Sequence, residues 1–285
     1  MSIVALDREG ILALERVEFQ ARLDGHNGAL EAAEKVGFVS RHVGGAWALL
    51  YPGDTSAIFN RVLGLGLDRP ASPEDLVALK AFYAEHGIGC FRIALCPAME
   101  PAGFETTLRA AGFGTSMHLV KWVRDGSPAK EPATGLRIDR AVPDETTAMD
   151  ELLLAAFGGR PFSVPFAAAL IGRPQWYHYV ARAGGAPVAT AMMYVRDGLA
   201  WLGAAGTLPS HRGRGVQGAL IARRIDDARA LGCHTLTADT APDLPERPSS
   251  SYRNMERAGF RVAYPRPNWV YPDPGIREDS VKRTM

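Results

Sequence analysis

The feature that most constrains the fold of this chain is an internal repeat. Three short matches recur in one order, namely Gly89-Cys90 with Gly232-Cys233, Ala111-Gly112-Phe113 with Ala258-Gly259-Phe260, and Lys121-Trp122-Val123 with Asn268-Trp269-Val270. The second copies follow the first by 143, 147 and 147 residues, a drift that a small surface-loop insertion explains. In each half a predicted helix precedes the Gly-Cys pair, a strand follows it, and a second helix ends at the Ala-Gly-Phe turn. The repeat therefore predicts two domains of like fold.

The predicted boundary between these domains is a segment without hydrophobic periodicity. Residues 126–135 read GSPAKEPATG, a composition that favours turns and extended linkers. We therefore predict a first domain at residues 1–125, a linker at 126–135 and a second domain at 136–285. A chain of 285 residues is long enough to give each domain its own core.

Composition limits the partners and the location. The formal net charge is +1, with 47% hydrophobic and 22% charged residues, so there is no basic footprint for nucleic acid. The first nine residues lack the pattern of a secretion signal, and no apolar run approaches the roughly 18 residues of a membrane span, so we expect no membrane partner and a cytoplasmic location. The cysteines Cys90, Cys96 and Cys233 show no CxxC spacing, which favours free thiols in a reducing compartment and predicts no metal site.

The second half has a readable order of elements. We predict strands at 136–138, 176–183, 187–195, 199–207, 235–238 and 260–264, and helices at 143–157, 164–171, 216–231 and 250–258. The turn signals Gly184-Gly185 and Asp197-Gly198 join three of the strands into an antiparallel meander. One crossover follows the meander, so the order predicts an α+β fold.

A glycine-rich loop joins the last strand of the meander to an amphipathic helix. It reads RGRGVQG and runs from Arg212 to Gly218. Glycines permit positive φ and close approach of the backbone to an anion, while the first-turn N–H groups and the helix dipole supply positive potential. Arg212 and Arg214 add full charges. The loop therefore predicts a phosphate-binding site.

The corresponding helix start in the first half has a different composition. Ser72 and Asp75 flank Pro73 and Glu74, an arrangement in which side-chain oxygens cap the first-turn N–H groups. Two carboxylates would also repel a pyrophosphate. We therefore predict that only the second half has the anion site.

The loop pattern resembles the hallmark of the GNAT superfamily of N-acetyltransferases, Arg/Gln-x-x-Gly-x-Gly/Ala, which stands here as Arg212-Gly213-Arg214-Gly215-Val216-Gln217. Gln217 departs from the small last residue, and Gly218 follows it, so we expect the loop to persist with a changed contact near the pyrophosphate. The likeness covers residues 136–271 and, without the loop, about 12–123. It implies an α+β, α/β sandwich-like fold with two tandem GNAT-like domains, each a mixed, mainly antiparallel sheet flanked by helices, the first of them degenerate.

The resemblance also implies a reaction and a set of residues. Acetyl-CoA would enter the opening of a splayed sheet as acyl donor, and a primary amine of a small molecule would attack its thioester directly. The pyrophosphate would lie on the glycine loop, and the pantetheine arm along the preceding strand. The implied contacts are Ala205, Gly206, Thr207, Arg212, Gly213, Arg214, Gly215, Val216, Gln217, Gly218, Ser251 and Asn254. We expect three groups to line the acceptor pocket: residues 157–165, the Pro-rich loop between the strand at 235–238 and the helix at 250–258, and the aromatic residues of the meander. These aromatics are Trp176, Tyr177, Tyr179, Tyr194 and Trp201.

The acid and the base are less directly indicated. Many GNAT enzymes place a tyrosine acid four residues before the glycine of the Gly-Phe turn, where this chain has Met255. Tyr252, one helical turn earlier, is the candidate catalytic acid, and Tyr264 is its alternative. The candidate general bases are Asp239, His178 and His211, none of them preferred. Cys233 lacks an identifiable histidine partner and is interpreted as a small buried hydrophobe.

Two other functions stay open. Residues 213–218 also spell GxGxxG, with Asp239 at the end of the next strand, which is the pattern of a dinucleotide-dependent oxidoreductase. Against it, residues 209–212 separate the strand from the first glycine, and hairpins rather than βαβ units precede the loop. The missing family tyrosine leaves a non-catalytic acyl-CoA sensor as the second alternative. A Walker P-loop is excluded because no Gly-Lys-Ser/Thr follows.

Overall fold

A computed structural model describes residues 3–32, 38–53, 57–116, 118–129, 134–156 and 170–272. The helices are α1 (Arg8–Ala32), α2 (Pro73–Glu85), α3 (Glu105–Ala110), α4 (Thr146–Ala156), α5 (Val216–Ala230) and α6 (Ser250–Arg257). The strands are β1 (Val39–Val43), β2 (Ala46–Leu50), β3 (Arg61–Leu63), β4 (Phe91–Ala94), β5 (Gly114–Thr115), β6 (Leu119–Asp125), β7 (Arg137–Arg140), β8 (Trp176–Ala183), β9 (Ala186–Arg196), β10 (Leu199–Thr207), β11 (Thr235–Thr240), β12 (Arg261–Arg266) and β13 (Asn268–Tyr271).

The chain forms two compact units. The N unit comprises Leu6–Phe19, Ala33–Leu119 and Pro265–Met285, and the C unit comprises Met1–Ala5, Gln20–Ala32 and Val120–Tyr264. Within the part of the chain that the structure describes, no helix combines the length and the apolar character that crossing a bilayer requires.

The N unit is built on a six-stranded sheet in the order β1-β2-β3-β4-β13-β5. Its β3 and β4 run parallel, whereas β1 with β2, β2 with β3, and β13 with both β4 and β5 are antiparallel. The fully buried Tyr83 of α2 stacks on Phe91 with ring centroids 4.1 Å apart, and its hydroxyl donates to the Leu49 carbonyl at 2.8 Å. This aromatic pair fixes α2 on the sheet through a directional contact as well as through apolar burial.

The C unit is built on a seven-stranded sheet in the order β12-β6-β11-β10-β9-β8-β7. Strands β7 to β10 pair antiparallel, and β10 pairs parallel with β11. The turns between β8, β9 and β10 have positive φ at both central residues, Gly184 with Gly185 and Asp197 with Gly198. That is the backbone of the tight hairpins that these dipeptides predict. The predicted meander, crossover helix and final helix are confirmed, and so is the α+β class.

The helix predicted at residues 164–171 lies almost entirely outside the described residues. The helix predicted from residue 143 is a short 3-10 turn at Pro143–Glu145 that continues into α4. The long helix α1 has no counterpart among the predicted elements, and its second half packs in the C unit.

The repeat appears in the structure with one change. Helix α2 and β4 flank Gly89-Cys90 as α5 and β11 flank Gly232-Cys233, and α3 and α6 end at the two Ala-Gly-Phe turns. The third matching pair lies in β6 and β13, and each strand pairs in the sheet of the other half: β6 with β11, and β13 with β4. The compact units are therefore discontinuous, whereas the predicted ranges 1–125 and 136–285 describe the repeat along the sequence.

Candidate functional site

The central strands β10 and β11 of the C unit separate along their length. Strand β10 pairs with β11 only over Leu199–Trp201, opposite Thr235–Thr237, although β11 continues to Thr240 beside β6. Beyond Trp201, β10 keeps β9 on its other side, where Ala205, Gly206 and Thr207 pair with Ala191, Thr190 and Ala189. Among the described residues, no strand pairs with the β11-facing edge of β10 over residues 205–207. Such an edge offers backbone N–H and C=O groups to an extended ligand.

The glycine loop begins at this end of β10. A 3-10 turn at Pro209–His211 leads into the loop, and Gly213 and Gly215 have φ of +75° and +74°. Both lie in the left-handed region, where a Cβ is strained, so the glycines are required by the backbone. Gly215 is the N-cap of α5 and provides no side-chain cap, so the first-turn amides of α5 lack an intrahelical acceptor. The helix start is therefore suited to an anion.

Polar contacts tie this loop to the end of β10. The exposed Arg212 donates from Nε to the Thr207 carbonyl at 3.3 Å and from Nη2 to the Ala156 carbonyl at 2.8 Å. The Gln217 side chain donates from Nε2 to the Thr207 hydroxyl at 2.7 Å. The residue that departs from the family pattern thus links the first turn of α5 to β10. Arg214 is exposed, and its charge adds to the positive potential of the loop.

The matching helix start in the N unit has other contacts. The Asp75 carboxylate accepts from the Ser72 N–H at 2.9 Å and binds the Arg69 guanidinium through contacts of 2.6 and 3.0 Å. Hydrogen bonds donated to the Glu74 carboxylate by its own backbone N–H and, less strongly, by the Ser72 hydroxyl lower the pKa of Glu74. The start of α2 therefore carries ionised side chains of its own.

The remaining predicted cofactor contacts, Ser251 and Asn254, lie on helix α6, as does the candidate acid Tyr252. Ser251 is exposed, and the Asn254 side-chain oxygen accepts from Arg257 at 2.6 Å. Tyr252 is buried against Trp122 of β6, with ring centroids 4.7 Å apart. Burial, followed by the charges of Glu256 and Asp243, raises the pKa of Tyr252, so this phenol keeps its proton at neutral pH.

Met255, at the position of the family tyrosine, and Tyr264, the alternative candidate acid, are also buried. Met255 is part of the apolar core, and Tyr264 lies on β12 with 6% of its surface exposed. Cys233 is buried in the same core, and this burial raises the pKa of its thiol. The cysteine environment is that of a packing residue rather than of a nucleophile.

The three candidate bases, Asp239, His178 and His211, lie on different elements. Asp239 of β11 faces Arg22, whose Nη2 lies 3.3 and 3.4 Å from its oxygens, and accepts from the Trp201 indole at 3.3 Å. His211 contacts the Ser210 hydroxyl at 3.0 Å.

His178 of β8 is 3% exposed, and neither ring nitrogen has a partner within the described part of the chain. Burial and, less strongly, Arg140 lower its pKa to about 4, so it is neutral at pH 7.

Arg22 was not singled out from the sequence. It reaches the site from α1, and its guanidinium lies 5.0 Å from the centroid of the Trp201 ring, at the residue where β10 leaves β11. Only the folding of α1 onto the C unit brings this cation to the opening, so no local sequence signal announces it.

The expected acceptor-lining segments are only partly described. Residues 157–165 lie outside the described residues. Among the meander aromatics, Trp176 contacts Tyr194 and Trp201, with ring centroids 5.1 and 6.5 Å away. Tyr177 and Tyr179 instead pack against Arg140, whose guanidinium lies 4.3 and 5.1 Å from their rings.

The structure weakens the dinucleotide alternative. The 3-10 turn separates β10 from Gly213, and β8, β9 and β10 are joined by hairpins rather than by crossover helices. Over the described ranges, no group of three or more His, Cys, Asp and Glu side chains is arranged to hold a metal ion.

Comparisons with known proteins agree with this geometry. Residues 146–247 match the family model described as the acetyltransferase (GNAT) family. The search of curated proteins found no match.

Solved structures of similar fold cover nearly the whole chain. A GCN5-related N-acetyltransferase from Kribbella flavida is 19% identical, with a TM-score of 0.61 over 88% of this chain and 95% of its own. A tandem GNAT protein from the clavulanic acid biosynthesis pathway is 16% identical, with a TM-score of 0.58 over 94% and 96%. A GCN5-related N-acetyltransferase from Sphaerobacter thermophilus is 15% identical, with a TM-score of 0.55 over 93% of each chain.

The solved structures of similar fold define the structural class of this protein. The chain has the tandem fold of GNAT proteins, with a mixed sheet and flanking helices in each unit. The sequence comparison points to the same class for the C unit, because the family model matches residues 146–247. At the level of that family, the match supports acetyltransferase activity.

Proposed function

We propose that this protein is an acyl-CoA-dependent N-acetyltransferase that transfers acetyl from acetyl-CoA to a primary amine of a small molecule. One observation carries the proposal. In the described part of the chain, no strand pairs with the β11-facing edge of β10 over residues 205–207, and α5 begins at the same end with a glycine N-cap that offers no side-chain cap. A ligand with an amide-bearing arm and a pyrophosphate matches both features together.

The residues present fit the donor. The backbone of Gly213 to Gly218 would hold the pyrophosphate, with Arg212 and Arg214 adding charge, and the backbone of Ala205, Gly206 and Thr207 would hold the pantetheine arm. Val216 and Gln217 complete the first turn of α5, and Ser251 and Asn254 of α6 would contact the arm. When bound, acetyl-CoA supplies the acetyl thioester.

The chain's own contribution to the reaction is positioning and proton transfer. The strand edge and the loop would fix the donor, which lowers the entropic part of the barrier. Tyr252 is the proposed acid, because it holds a proton at neutral pH and lies on α6 one turn before Met255. Asp239 faces the opening already bound to Arg22 and Trp201, so we assign it no proton transfer.

Direct titration of acetyl-CoA tests the donor site. Gly218 lies in the first turn of α5, and a Cβ added there meets open space. Gly218→Glu places a carboxylate where the pyrophosphate would lie, while the helix dipole tolerates it. Gly218→Ala is the matched control for the added Cβ. We expect calorimetry to show binding to wild type and Gly218→Ala and loss of binding in Gly218→Glu.

Two outcomes would contradict the proposed donor. One is the absence of acetyl-CoA binding to the folded wild type, and the other is preferential binding of NADH. Preferential binding of NADH would favour the alternative function, a dinucleotide-dependent oxidoreductase.

A non-catalytic acyl-CoA sensor is the second candidate, favoured by one observation. Met255, which cannot donate a proton, stands where the family has its tyrosine. CoA release with a panel of primary amines separates the two functions. Release above the rate without amine supports the enzyme, and binding without release from any amine supports the sensor.

A further inference from the structure

Strand β10 is irregular at the point where it leaves β11. Leu202 pairs with Met193, and Ala205 pairs with Ala191, so that Gly203 and Ala204 together oppose the single residue Met192. Two residues against one define a β-bulge, which bends the bulged strand and disrupts the ladder. Only Leu202 separates the bulge from Trp201, the last residue that pairs with β11. The bend in β10 and the opening of the sheet thus coincide.

One buried cation contacts the backbone at this bulge. Arg224 of α5 is 1% exposed, and its Nη1 donates to the Met192 carbonyl at 3.0 Å. Its Nε donates to the Leu220 carbonyl of its own helix, also at 3.0 Å. The guanidinium therefore joins α5 to the residue of β9 that faces the bulge.

The environment of Arg224 is unusual for a charged side chain. Over the described ranges, no carboxylate lies within ion-pair distance of it, whereas its neighbour Arg223 binds Asp227 at 2.9 Å. Burial lowers the pKa of Arg224 to about 10, which leaves it charged at neutral pH. A buried charge without a counter-ion is costly, so its hydrogen bonds must compensate.

The hydrogen bonds of Arg224 offset this cost, and one of them lies at the bulge, where the regular β-ladder is interrupted. A bulge leaves backbone groups without their regular partners, and an unpaired buried carbonyl costs free energy. A guanidinium donor makes a charge-assisted bond that is stronger than a neutral one. No apolar side chain at position 224 could bind the Met192 carbonyl.

We propose that Arg224 is a positioning residue that holds the β10 bulge and thereby keeps Ala205, Gly206 and Thr207 turned away from β11, where they bind the pantetheine arm. The inference rests on the proposed function for the identity of the ligand. The role of Arg224 at the bulge stands on the geometry and can be tested without the ligand.

The test compares Arg224→Met, which removes the donors at similar length, with Arg229→Met, which changes an exposed arginine on the same helix. Hydrogen exchange of the amides of residues 203–207 is followed by NMR in the ligand-free protein, and acetyl-CoA affinity is measured by calorimetry. In Arg224→Met we expect faster exchange at these amides and an affinity lower by about tenfold or more. Arg229→Met should match wild type in both.

A second variant keeps the inference testable if Arg224→Met does not fold. Arg224→Lys retains the charge but carries a single ammonium, so we expect intermediate exchange and intermediate affinity. A folded Arg224→Met, or in its place a folded Arg224→Lys, with wild-type exchange and wild-type affinity would overturn the role of Arg224. Wild type that fails to bind acetyl-CoA would instead overturn the proposed function, and the exchange data would still decide the role of Arg224.

Discussion

At the scale of single residues, the proposed role of Tyr252 as the general acid can be tested directly. Its phenol is buried against Trp122 and keeps its proton at neutral pH, as a general acid must. We predict that Tyr252→Phe lowers kcat by about 100-fold, the lower end for general acid catalysis, and leaves the KM for acetyl-CoA unchanged. Steady-state CoA release with an accepted amine measures both. Tyr264→Phe is the matched comparison, and a loss of kcat in that variant alone would move the acid role to Tyr264.

His178 makes a second prediction, which concerns stability. Its folded-state pKa of about 4 lies below the ordinary value of 6.5, so the unfolded chain binds more protons between these values. The free energy of unfolding therefore falls as pH drops from 6.5 toward 4, by about 2 kcal/mol at pH 5 from this group. Urea unfolding of wild type and His178→Phe at pH 7.5 and pH 5 should show that this share of the loss disappears in the variant. An equal loss in both proteins would show that other groups cause it.

At the scale of elements, the two helix starts of the repeat differ in what they bind. At α2, Asp75 caps the Ser72 N–H and binds Arg69, and Glu74 is ionised. At α5, Gly215 leaves the first turn uncapped. We predict a stoichiometry of one acetyl-CoA per chain in calorimetry, abolished by Gly218→Glu. A stoichiometry of two, or one that Gly218→Glu leaves at one, would place a donor site on the other helix start.

Element prediction succeeded where local chemistry decides the backbone. Gly184-Gly185 and Asp197-Gly198 predicted the hairpins, and the glycines of the loop predicted left-handed residues at the start of α5. Gln217 was recognised as a departure from the family pattern, but its bond to Thr207 depends on how α5 and β10 are brought together. The same holds for Arg224, whose partner Met192 lies 32 residues earlier in the chain.

At the scale of the whole molecule, the exchange of β6 and β13 makes each half dependent on the other. The C unit needs Trp122 of β6, and the N unit needs Trp269 of β13, and both side chains are buried. We predict that fragments 1–130 and 131–285 do not fold cooperatively when expressed separately but associate and fold when expressed together. Circular dichroism melting and size-exclusion chromatography check this against the full chain. A fragment that melts alone at the temperature of the full chain would refute the interdependence.

What the sequence determined by itself is the repeat, the order of elements in the second half and the residues of the glycine loop. Hydrophobic period, turn dipeptides and glycine positions act within a few residues, so they can be read locally. The tertiary structure alone decided which sheet receives β6 and β13, where β10 leaves β11, and how Arg22 and Arg224 reach that opening. These arrangements join residues far apart in the chain, and long-range packing rather than local propensity selects them.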